Sequence, residues 1–268
     1  MNNRKEPPVI LVVGDSCEDI FVYGEVVRMS PEAPVPIIQP TDKTTNGGMA
    51  KNVLANLLQL EVDAFLVTNT EEIVKTRYVD NRSSQMVLRV DENDVCDRIK
   101  EETLLQVKSN LFKGLIFDAL VISDYCKGFL TEEDIKYLCD NNETVFVDTK
   151  KRFGTFLENA DYIKINDLEY KKNFGIDFLA SLWDVDLDRY NGGFKNKTII
   201  TQGRHGCLYN DEMFPVEEVS VRDVSGAGDT FLAGLVKKYI ETDDIRESIK
   251  FAQECATAVV QKHGVATV

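Results

Sequence analysis

The chain has few of the residues that build metal centres, disulfide frameworks or membrane spans. Only two of its 268 residues are histidine, which argues against a histidine-based metal site. Its six cysteines form no C-x-x-C pair, and their spacing predicts neither a zinc site nor a disulfide framework. No apolar run approaches the ~18 residues of a transmembrane helix, and the first residues lack the apolar stretch of a signal peptide. We therefore expect a cytoplasmic protein with no membrane partner.

Positive charge is also scarce. The chain has 31 Lys and Arg against 45 Asp and Glu, a net charge of −14. This balance argues against nucleic acid or an anionic membrane as a partner. It does not exclude ATP or a sugar phosphate, since these need only a local basic cluster and Mg²⁺. With 43% hydrophobic residues, the chain can form the core of one large α/β domain.

Short apolar runs alternate with helical patterns along most of the chain, which predicts a parallel sheet with helices on both faces. Strands are predicted at 8–14, 64–68, 119–123, 144–148, 162–165 and 197–201. Helices are predicted near 47–60, 94–110, 131–140, 153–158, 167–173, 178–190, 227–241 and 243–262. We expect one domain over 1–268.

Two segments depart from this alternation. Four prolines between 31 and 40 exclude a central strand there and favour edge strands. The runs 75–79 and 85–90 flank a polar turn, which predicts a hairpin. We therefore expect a small sheet, or lid, formed from about 18–44 and 72–92 beside the main sheet.

The segment Asp223-Val-Ser-Gly-Ala-Gly-Asp229 is the most informative part of the sequence. A helical apolar pattern follows it, so its glycine turn is predicted to precede a helix. Backbone amides at a helix N-terminus favour phosphate, because the positive end of the helix dipole lies there. Asp229 adds a carboxylate that can take a proton from an attacking hydroxyl. A plain glycine-rich loop capped by Ser and Asp is the alternative interpretation of the segment taken alone.

Polar residues that suit a sugar lie in two early segments. Asp15 and Asp19 follow the first strand, where carboxylates can accept hydrogen bonds from sugar hydroxyls; an ordinary acidic loop is the alternative. Gly47-Gly48 form a turn before Asn52, whose amide can both donate to and accept from a polyol. A helix cap with a surface Asn is the other interpretation of that segment.

Residues that suit phosphate and Mg²⁺ follow the later strands. Lys127 and Lys150 come after successive strands and predict a basic rim that binds an anion. Asn166 and Glu169 lie one helical turn apart, which fits oxygen ligands of Mg²⁺ and also a capping box. The glycine turn Thr201–Gly206 can border a nucleotide. Neither the P-loop pattern nor the dinucleotide G-x-G-x-x-G pattern is present.

Taken in order, these segments resemble the ribokinase-like (PfkB) carbohydrate kinases along essentially the full chain. The nearest subgroup is the bacterial D-glycero-β-D-manno-heptose-7-phosphate kinases, the kinase half of ADP-heptose synthesis. The resemblance rests on D-x-[ST]-G-A-G-D-[ST] at Asp223–Thr230, on Ser123–Gly128 and on the subgroup-specific Ser30-Pro-Glu-Ala-Pro-Val-Pro36. It implies a ribokinase-like three-layer α/β/α domain with a mostly parallel central sheet and a small β-sheet lid. It also implies an ATP- and Mg²⁺-dependent sugar-phosphate kinase, and the exposed lid strands favour a homodimer.

The resemblance also implies roles for individual residues. Asp229 is the implied catalytic base, and the amides of Gly226, Ala227 and Gly228 are the implied anion hole. Sugar and phosphate binding is implied for Asp15, Gly47, Gly48, Asn52, Arg77, Arg89 and Lys127. ATP binding is implied for Lys150, Asn166, Thr201, Gly203, Gly206, Ser225 and Gly228. Asn166 and Glu169 are implied to hold Mg²⁺ through water.

The sequence departs from the family after Thr70. A G-D-D-x-x-G stretch and a helix–strand unit of about 30 residues are missing there. Gln253 also stands where relatives have Asn, at the implied adenine pocket. Two alternatives therefore remain open: a kinase of another sugar or nucleoside, and a catalytically silent ligand-binding relative. The retained Asp229 argues against the second.

Overall fold

The computed structural model describes residues 7–175, 193–262 and 264–268, so the helix predicted at 178–190 lies outside the described residues. The strands are β1 (Val9–Gly14), β2 (Ser16–Met29), β3 (Pro36–Met49), β4 (Asp63–Val67), β5 (Val74–Asp80), β6 (Gln85–Glu92), β7 (Leu111–Phe112), β8 (Leu115–Ile116), β9 (Ala119–Asp124), β10 (Val145–Thr149), β11 (Tyr162–Asn166), β12 (Thr198–Thr201), β13 (Cys207–Tyr209) and β14 (Glu212–Phe214). The helices are α1 (Ala50–Gln59), α2 (Glu101–Leu104), α3 (Glu132–Asn141), α4 (Asp167–Phe174), α5 (Ala227–Thr242) and α6 (Ile245–Val259).

The central sheet has the strand order β14-β13-β12-β11-β10-β9-β1-β4 within the described residues. The strands from β12 to β4 run parallel, and β13 and β14 add an antiparallel edge. The carboxyl ends of the parallel strands therefore share one edge of the sheet. The chain order reverses between β1 and β9, and open α/β sheets bind ligands outside the carboxyl ends at such a point.

Helices cover both faces of this sheet, because the buried residues of β1 alternate between two clusters. Ile10 and Val12 pack in the cluster that contains α1, α5 and α6. Leu11 and Val13 pack in the cluster that contains α3 and α4. All four are fully buried. The predicted α/β fold with a mostly parallel sheet between two helical layers is confirmed.

The lid is a mixed four-stranded sheet in the order β3-β2-β5-β6. Its longest pair is the antiparallel hairpin of β2 and β3, and β5 runs parallel to β2. The predicted hairpin is present as β5 and β6. Pro36 and Pro40 lie in β3, an edge strand, where a missing N–H is tolerated. Because β2 begins at Ser16, directly after β1, the lid starts at the carboxyl end of the central sheet.

Two predicted helices are largely wrong. The segment 94–110 contains only the single turn α2, because Cys96 and Ile99 donate their N–H groups at 2.8 Å to the carbonyls of Lys127 and Phe129. Tertiary hydrogen bonds thus hold the start of the segment extended. The segment 153–158 contains only a short 3₁₀ turn. Where the chain is described, no helix has both the length and the apolar character that a bilayer span requires.

Candidate active site

The functional candidates lie at the shared carboxyl edge of the central sheet. Asp15 follows β1 and Tyr125 follows β9, while Thr149, Asn166 and Thr201 end β10, β11 and β12. Side-chain contacts described below connect this edge to the N-terminus of α5. The sheet, the first turn of α5 and the base of the lid therefore meet in one place.

The N-terminus of α5 is built by the glycine turn. Gly226 occupies the cap position with φ +79°, a left-handed conformation that favours glycine, and supplies no side-chain cap. Ala227, Gly228 and Asp229 form the first turn, so their amides lie at the positive end of a 16-residue helix. The backbone N–H of Ser225, just before this turn, donates to the Asp223 carboxylate at 2.8 Å.

Asp229 is buried, with 4% of its surface exposed. Its Oδ1 accepts a hydrogen bond from the Tyr125 hydroxyl at 2.6 Å, and its Oδ2 accepts one from Asn52 Nδ2 at 3.0 Å. Burial raises the pKa of Asp229 to about 6, although these two hydrogen bonds oppose the shift. A carboxylate with a pKa in this range suits a general base at neutral pH.

Asn52 connects the base to α1. It is 1% exposed, and its Oδ1 accepts from Asn56 Nδ2 at 3.1 Å while its Nδ2 lies 3.4 Å from the Gly226 carbonyl. Thr230 of α5 donates to Asn56 at 3.2 Å. The predicted polyol ligand Asn52 is thus also part of the buried network that orients Asp229.

Lys164 is a second buried charge beside the helix N-terminus. It is 4% exposed and pairs with Asp148 at 2.6 Å. A Cβ added to Gly228 would lie 2.8 Å from Lys164 Nζ, so the ammonium closely approaches the backbone of the first turn. Burial disfavours the charged form of Asp148, but Lys164 and Lys150 outweigh it and lower the Asp148 pKa. Lys164 therefore adds positive charge to the predicted anion hole.

The predicted metal residues form the predicted capping box at α4. Asn166 Oδ1 accepts from the Glu169 N–H at 2.8 Å, and Glu169 Oε2 accepts from the Asn166 N–H at 2.9 Å. Glu169 Oε1 also pairs with Lys150 at 2.5 Å. The pKa of Lys150 is raised, because Asp148 and Glu169 outweigh the effect of burial.

This donor set fits Mg²⁺ only through retained waters, since the Asn166 and Glu169 oxygens already have protein partners. In the part of the chain that is described, no group of three or more His, Cys, Asp or Glu residues is arranged to hold a metal. Water-mediated coordination by these two residues stays a prediction.

A cavity of about 390 Å³ lies on the α6 side of the helix N-terminus. The predicted nucleotide residues Thr201, Gly203, Gly206 and Gly228 all line it. Lys150, Asn166 and Ser225 are not among its lining residues. Apolar side chains, which suit a planar base, complete the wall: Val216, Val219, Val221, Val224, Phe231 and Val260. Gln253 also lies in the wall and donates to the Phe214 carbonyl at 2.6 Å.

Asp15 is fully buried and orders the loop after β9. Its carboxylate accepts the N–H groups of Tyr125 at 2.7 Å and of Lys127 and Phe129 at 3.2 Å. Burial, and then the charge of Asp124, raise its pKa against these hydrogen bonds. These hydrogen bonds let Asp15 position the loop, and a carboxylate that accepts three of them keeps a lone pair for a sugar hydroxyl.

Asp19 is the carboxylate that lies against the lid. It pairs with Arg77 of β5, whose guanidinium lies 5.1 Å from the ring centre of Phe21. A Cβ on Gly48 would collide with Asp19 Oδ2, so the close approach of strand and carboxylate requires glycine there. Gly47 pairs with Glu18 one position earlier in the same hairpin. The predicted residues Gly48 and Arg77 are thus brought together through Asp19.

Lys127 reaches from the β9 loop into a charged cluster at the lid. It pairs with Asp94 at 2.5 Å, and Asp94 also pairs with Lys75 at 2.8 Å. Asp91 lies 3.4 Å from Lys75 and 2.8 Å from Arg89. The predicted basic residues Lys127 and Arg89 therefore belong to one network, held by two carboxylates.

Sequence reasoning gave no role to Tyr125 or Lys164. Lys164 carries a signal, because a charge in the apolar run Tyr162–Ile165 needs a buried partner. Tyr125 carries none, since its contact with Asp229 joins residues 104 positions apart.

Comparison with known protein families gives a match over most of the chain. The sequence model of the pfkB family carbohydrate kinases matches residues 65–268. The bifunctional protein HldE of Campylobacter curvus is 32% identical over 300 residues, covering 96% of this chain and 62% of that protein. HldE of Nitratiruptor is 30% identical over 296 residues, covering 97% of this chain and 63% of that protein.

The chain therefore spans less than two thirds of the length of these relatives. Both alignments are longer than the 268 residues of this chain, so the relatives carry positions that it lacks.

Solved structures show the same fold. Ribokinase of Thermotoga maritima has a TM-score of 0.68 at 17% identity, covering 96% of this chain and 94% of that one. Escherichia coli phosphofructokinase-2 has a TM-score of 0.69 at 15% identity, covering 94% of this chain and 93% of that one. Arabidopsis thaliana ribokinase, complexed with ribose and ATP, has a TM-score of 0.67 at 15% identity, covering 97% of this chain and 94% of that one.

Proposed function

Because the chain belongs to the pfkB family of carbohydrate kinases, we propose that it transfers the γ-phosphoryl group of ATP to a hydroxyl of a sugar phosphate. The placement of Asp229 carries the proposal. Gly228, beside it in the first turn of α5, lines the cavity on one side. Asn52, which holds its carboxylate, follows the end of lid strand β3 on the other side. A base at this junction can reach a hydroxyl bound under the lid.

In the proposed reaction, Asp229 accepts the proton of the attacking hydroxyl as the oxygen bonds to the γ-phosphorus and the bond to the departing ADP oxygen breaks. The amides from Gly226 to Gly228 and the ammonium of Lys164 stabilise the charge on the transferred group. Thr201, Gly203 and Gly206 border the nucleotide. Asn166 and Glu169 would hold Mg²⁺ through water, where the ion neutralises phosphate charge.

The proposed acceptor is D-glycero-D-manno-heptose 7-phosphate, phosphorylated on its anomeric hydroxyl. The HldE relatives and the Ser30–Pro36 motif support a heptose phosphate. The cations Arg77, Arg89 and Lys127 support the phosphate, because they gather where the lid meets β9. Asp19, Gly48 and Asn52 are proposed to contact the sugar, and Asp15 to fix the loop that carries Lys127.

The proposed function is tested by ADP release from Mg·ATP with this heptose phosphate, beside a panel of other sugars, sugar phosphates and nucleosides. Selective turnover of the heptose phosphate is the expected result. Turnover of another panel member alone would keep the kinase and reject the heptose. ATP binding without turnover on any member would favour a ligand-binding relative, the candidate that the missing unit after Thr70 supports.

The pH dependence of this reaction follows from Asp229. Since burial raises its pKa to about 6, we expect kcat/KM for the sugar phosphate to fall tenfold per pH unit well below pH 6 and to level off above it. A rate profile between pH 5 and pH 9, with stability monitored by circular dichroism, measures this. A flat profile across pH 6 would contradict a base with this pKa.

Lys127→Met is expected to raise the KM for the sugar phosphate about tenfold, because a charge-assisted hydrogen bond to the phosphate is lost and one of the two cations that pair with Asp94 is removed. The KM for ATP should not change. Lys136→Met, which removes an exposed pair with Asp140, is the matched control. If the Lys127 variant raised the KM for both substrates equally, this would contradict a contact between Lys127 and the sugar phosphate.

We also propose a homodimer that pairs two lids. The outer lid face exposes Met86 and Leu88, each 55% exposed, and Val90, 38% exposed. Within the described residues β3 and β6 are the edge strands of the lid, and such edges favour pairing. Sedimentation velocity at micromolar concentration tests this, since a monomer would contradict it.

A further inference from the structure

Tyr125 occupies a place at the site that the proposed roles do not explain. Its half-buried side chain extends from the loop after β9 and donates from its hydroxyl to Asp229 Oδ1 at 2.6 Å. Asn52 holds the other carboxylate oxygen at 3.0 Å. Asp229 therefore receives one donor on each oxygen, and each oxygen retains lone pairs for a further donor.

Two contacts of its own and the tight fold of its loop fix the position of this tyrosine. Its own N–H donates to the fully buried Asp15 at 2.7 Å. Lys150 places its ammonium 4.9 Å from the ring centre, a cation–π distance. Gly128, with φ +114°, closes the loop so tightly that a Cβ there would lie 2.5 Å from the Cys96 carbonyl. The Tyr125 hydroxyl is thus positioned both through the loop backbone and through the contacts of the ring.

We propose that Tyr125 is a positioning residue for the transfer, and that its hydroxyl holds the Asp229 carboxylate in the orientation from which it accepts the proton of the acceptor hydroxyl. This rests on the proposed function. It also gives Asp15 a purpose, because Asp15 holds Tyr125 and Tyr125 holds Asp229. A hydrogen bond donated to a carboxylate favours its charged form, so Tyr125 also helps to keep the base ionised.

The tyrosine acts as a donor and not as a second base. Burial raises its pKa well above the usual value, and the charges of Asp229 and Asp148 raise it further. Two further charged groups act on Asp229: Asp148 raises its pKa and Lys164 lowers it. Cys17 also faces Asp229, and burial raises the pKa of this thiol to about 12.

Tyr125→Phe removes the hydroxyl and keeps the ring. Since the ionised carboxylate loses a donor, we expect the acid limb of kcat/KM to move up by about one pH unit. The loss relative to the unmodified enzyme should then be about tenfold greater at pH 5 than at pH 8, while the KM for ATP stays constant. Tyr137→Phe, which removes a hydroxyl bond to the Leu105 carbonyl far from Asp229, is the matched control and should not move the limb.

A second measurement does not depend on turnover. Carbon-13 NMR of carboxyl-labelled aspartate can follow the Asp229 signal, identified by its absence in Asp229→Asn. A titration midpoint about one unit higher in Tyr125→Phe supports the proposal even if no sugar phosphate is turned over, in which case only the proposed function fails. An unchanged midpoint, or an activity loss of equal size at pH 5 and pH 8, would overturn it.

Discussion

Asp229→Asn is expected to lower turnover of the sugar phosphate by about 10²–10⁴-fold while leaving ATP binding nearly intact. Asparagine has the shape of the carboxylate but cannot accept the proton of the attacking hydroxyl. The first-turn amides and the cavity that Gly228 lines remain in place, so the nucleotide keeps its contacts. Initial rates of ADP release and calorimetric titration with ATP measure the two quantities separately.

The same substitution should not destabilise the fold at pH 8. Because burial raises the native pKa of Asp229 from 3.8 to about 6, the native state binds more protons than the unfolded state between these values, and stability falls as pH rises through them. Asparagine removes this penalty, and the free energy of unfolding at pH 8 should rise by roughly 1–3 kcal/mol. Asp140→Asn on the surface is the control for both readouts. Full turnover by the Asp229→Asn variant would contradict a role for Asp229 in the reaction.

Gly226→Ala is expected to lower turnover by about 10²-fold, because it displaces the groups that hold the base. The new Cβ would lie 2.6 Å from Asn52 Nδ2, the donor to Asp229, and 3.1 Å from Val265. The residue also has φ +79°, which costs an alanine about 1–2 kcal/mol. Steady-state kinetics and urea unfolding of the variant measure the two effects.

Gly114→Ala separates strain from collision. Gly114 has φ +85°, close to that of Gly226, but a Cβ there would meet nothing within 4 Å. The Gly114→Ala variant should lose about 1–2 kcal/mol of stability, as Gly226→Ala does through strain, and it should keep full turnover. If Gly226→Ala lost no more turnover than this control, the contact between Gly226 and Asn52 would have no part in holding Asp229.

The position of the site could be predicted from local patterns. Glycines ahead of a helical apolar pattern predicted the start of α5. Apolar runs that end in polar residues predicted the strand ends that surround it. Parallel strands bring their carboxyl ends to one edge of the sheet, whatever the conformation of the connecting loops. Asp229, Gly228 and Thr201 could therefore be assigned to one site without knowledge of their contacts.

The residues that tune the site could not be predicted in this way, because their partners are distant in sequence. Lys164 is stable as a buried charge only beside Asp148, and Tyr125 acquires its role only when α5 docks. The carboxylate of Asp15 was expected at a sugar, and only the structure shows that it also accepts hydrogen bonds from loop amides. The segment 94–110 failed as a helix for the same reason, since its amides pair with that loop.

The most direct test of phosphoryl transfer to a sugar phosphate is ³¹P NMR of the reaction with Mg·ATP and D-glycero-D-manno-heptose 7-phosphate. The expected result is formation of ADP together with a second sugar phosphoester, coupled to the anomeric proton, that is absent with Asp229→Asn. Unreacted ATP, or ATP converted only to ADP and inorganic phosphate, would contradict transfer to this sugar phosphate.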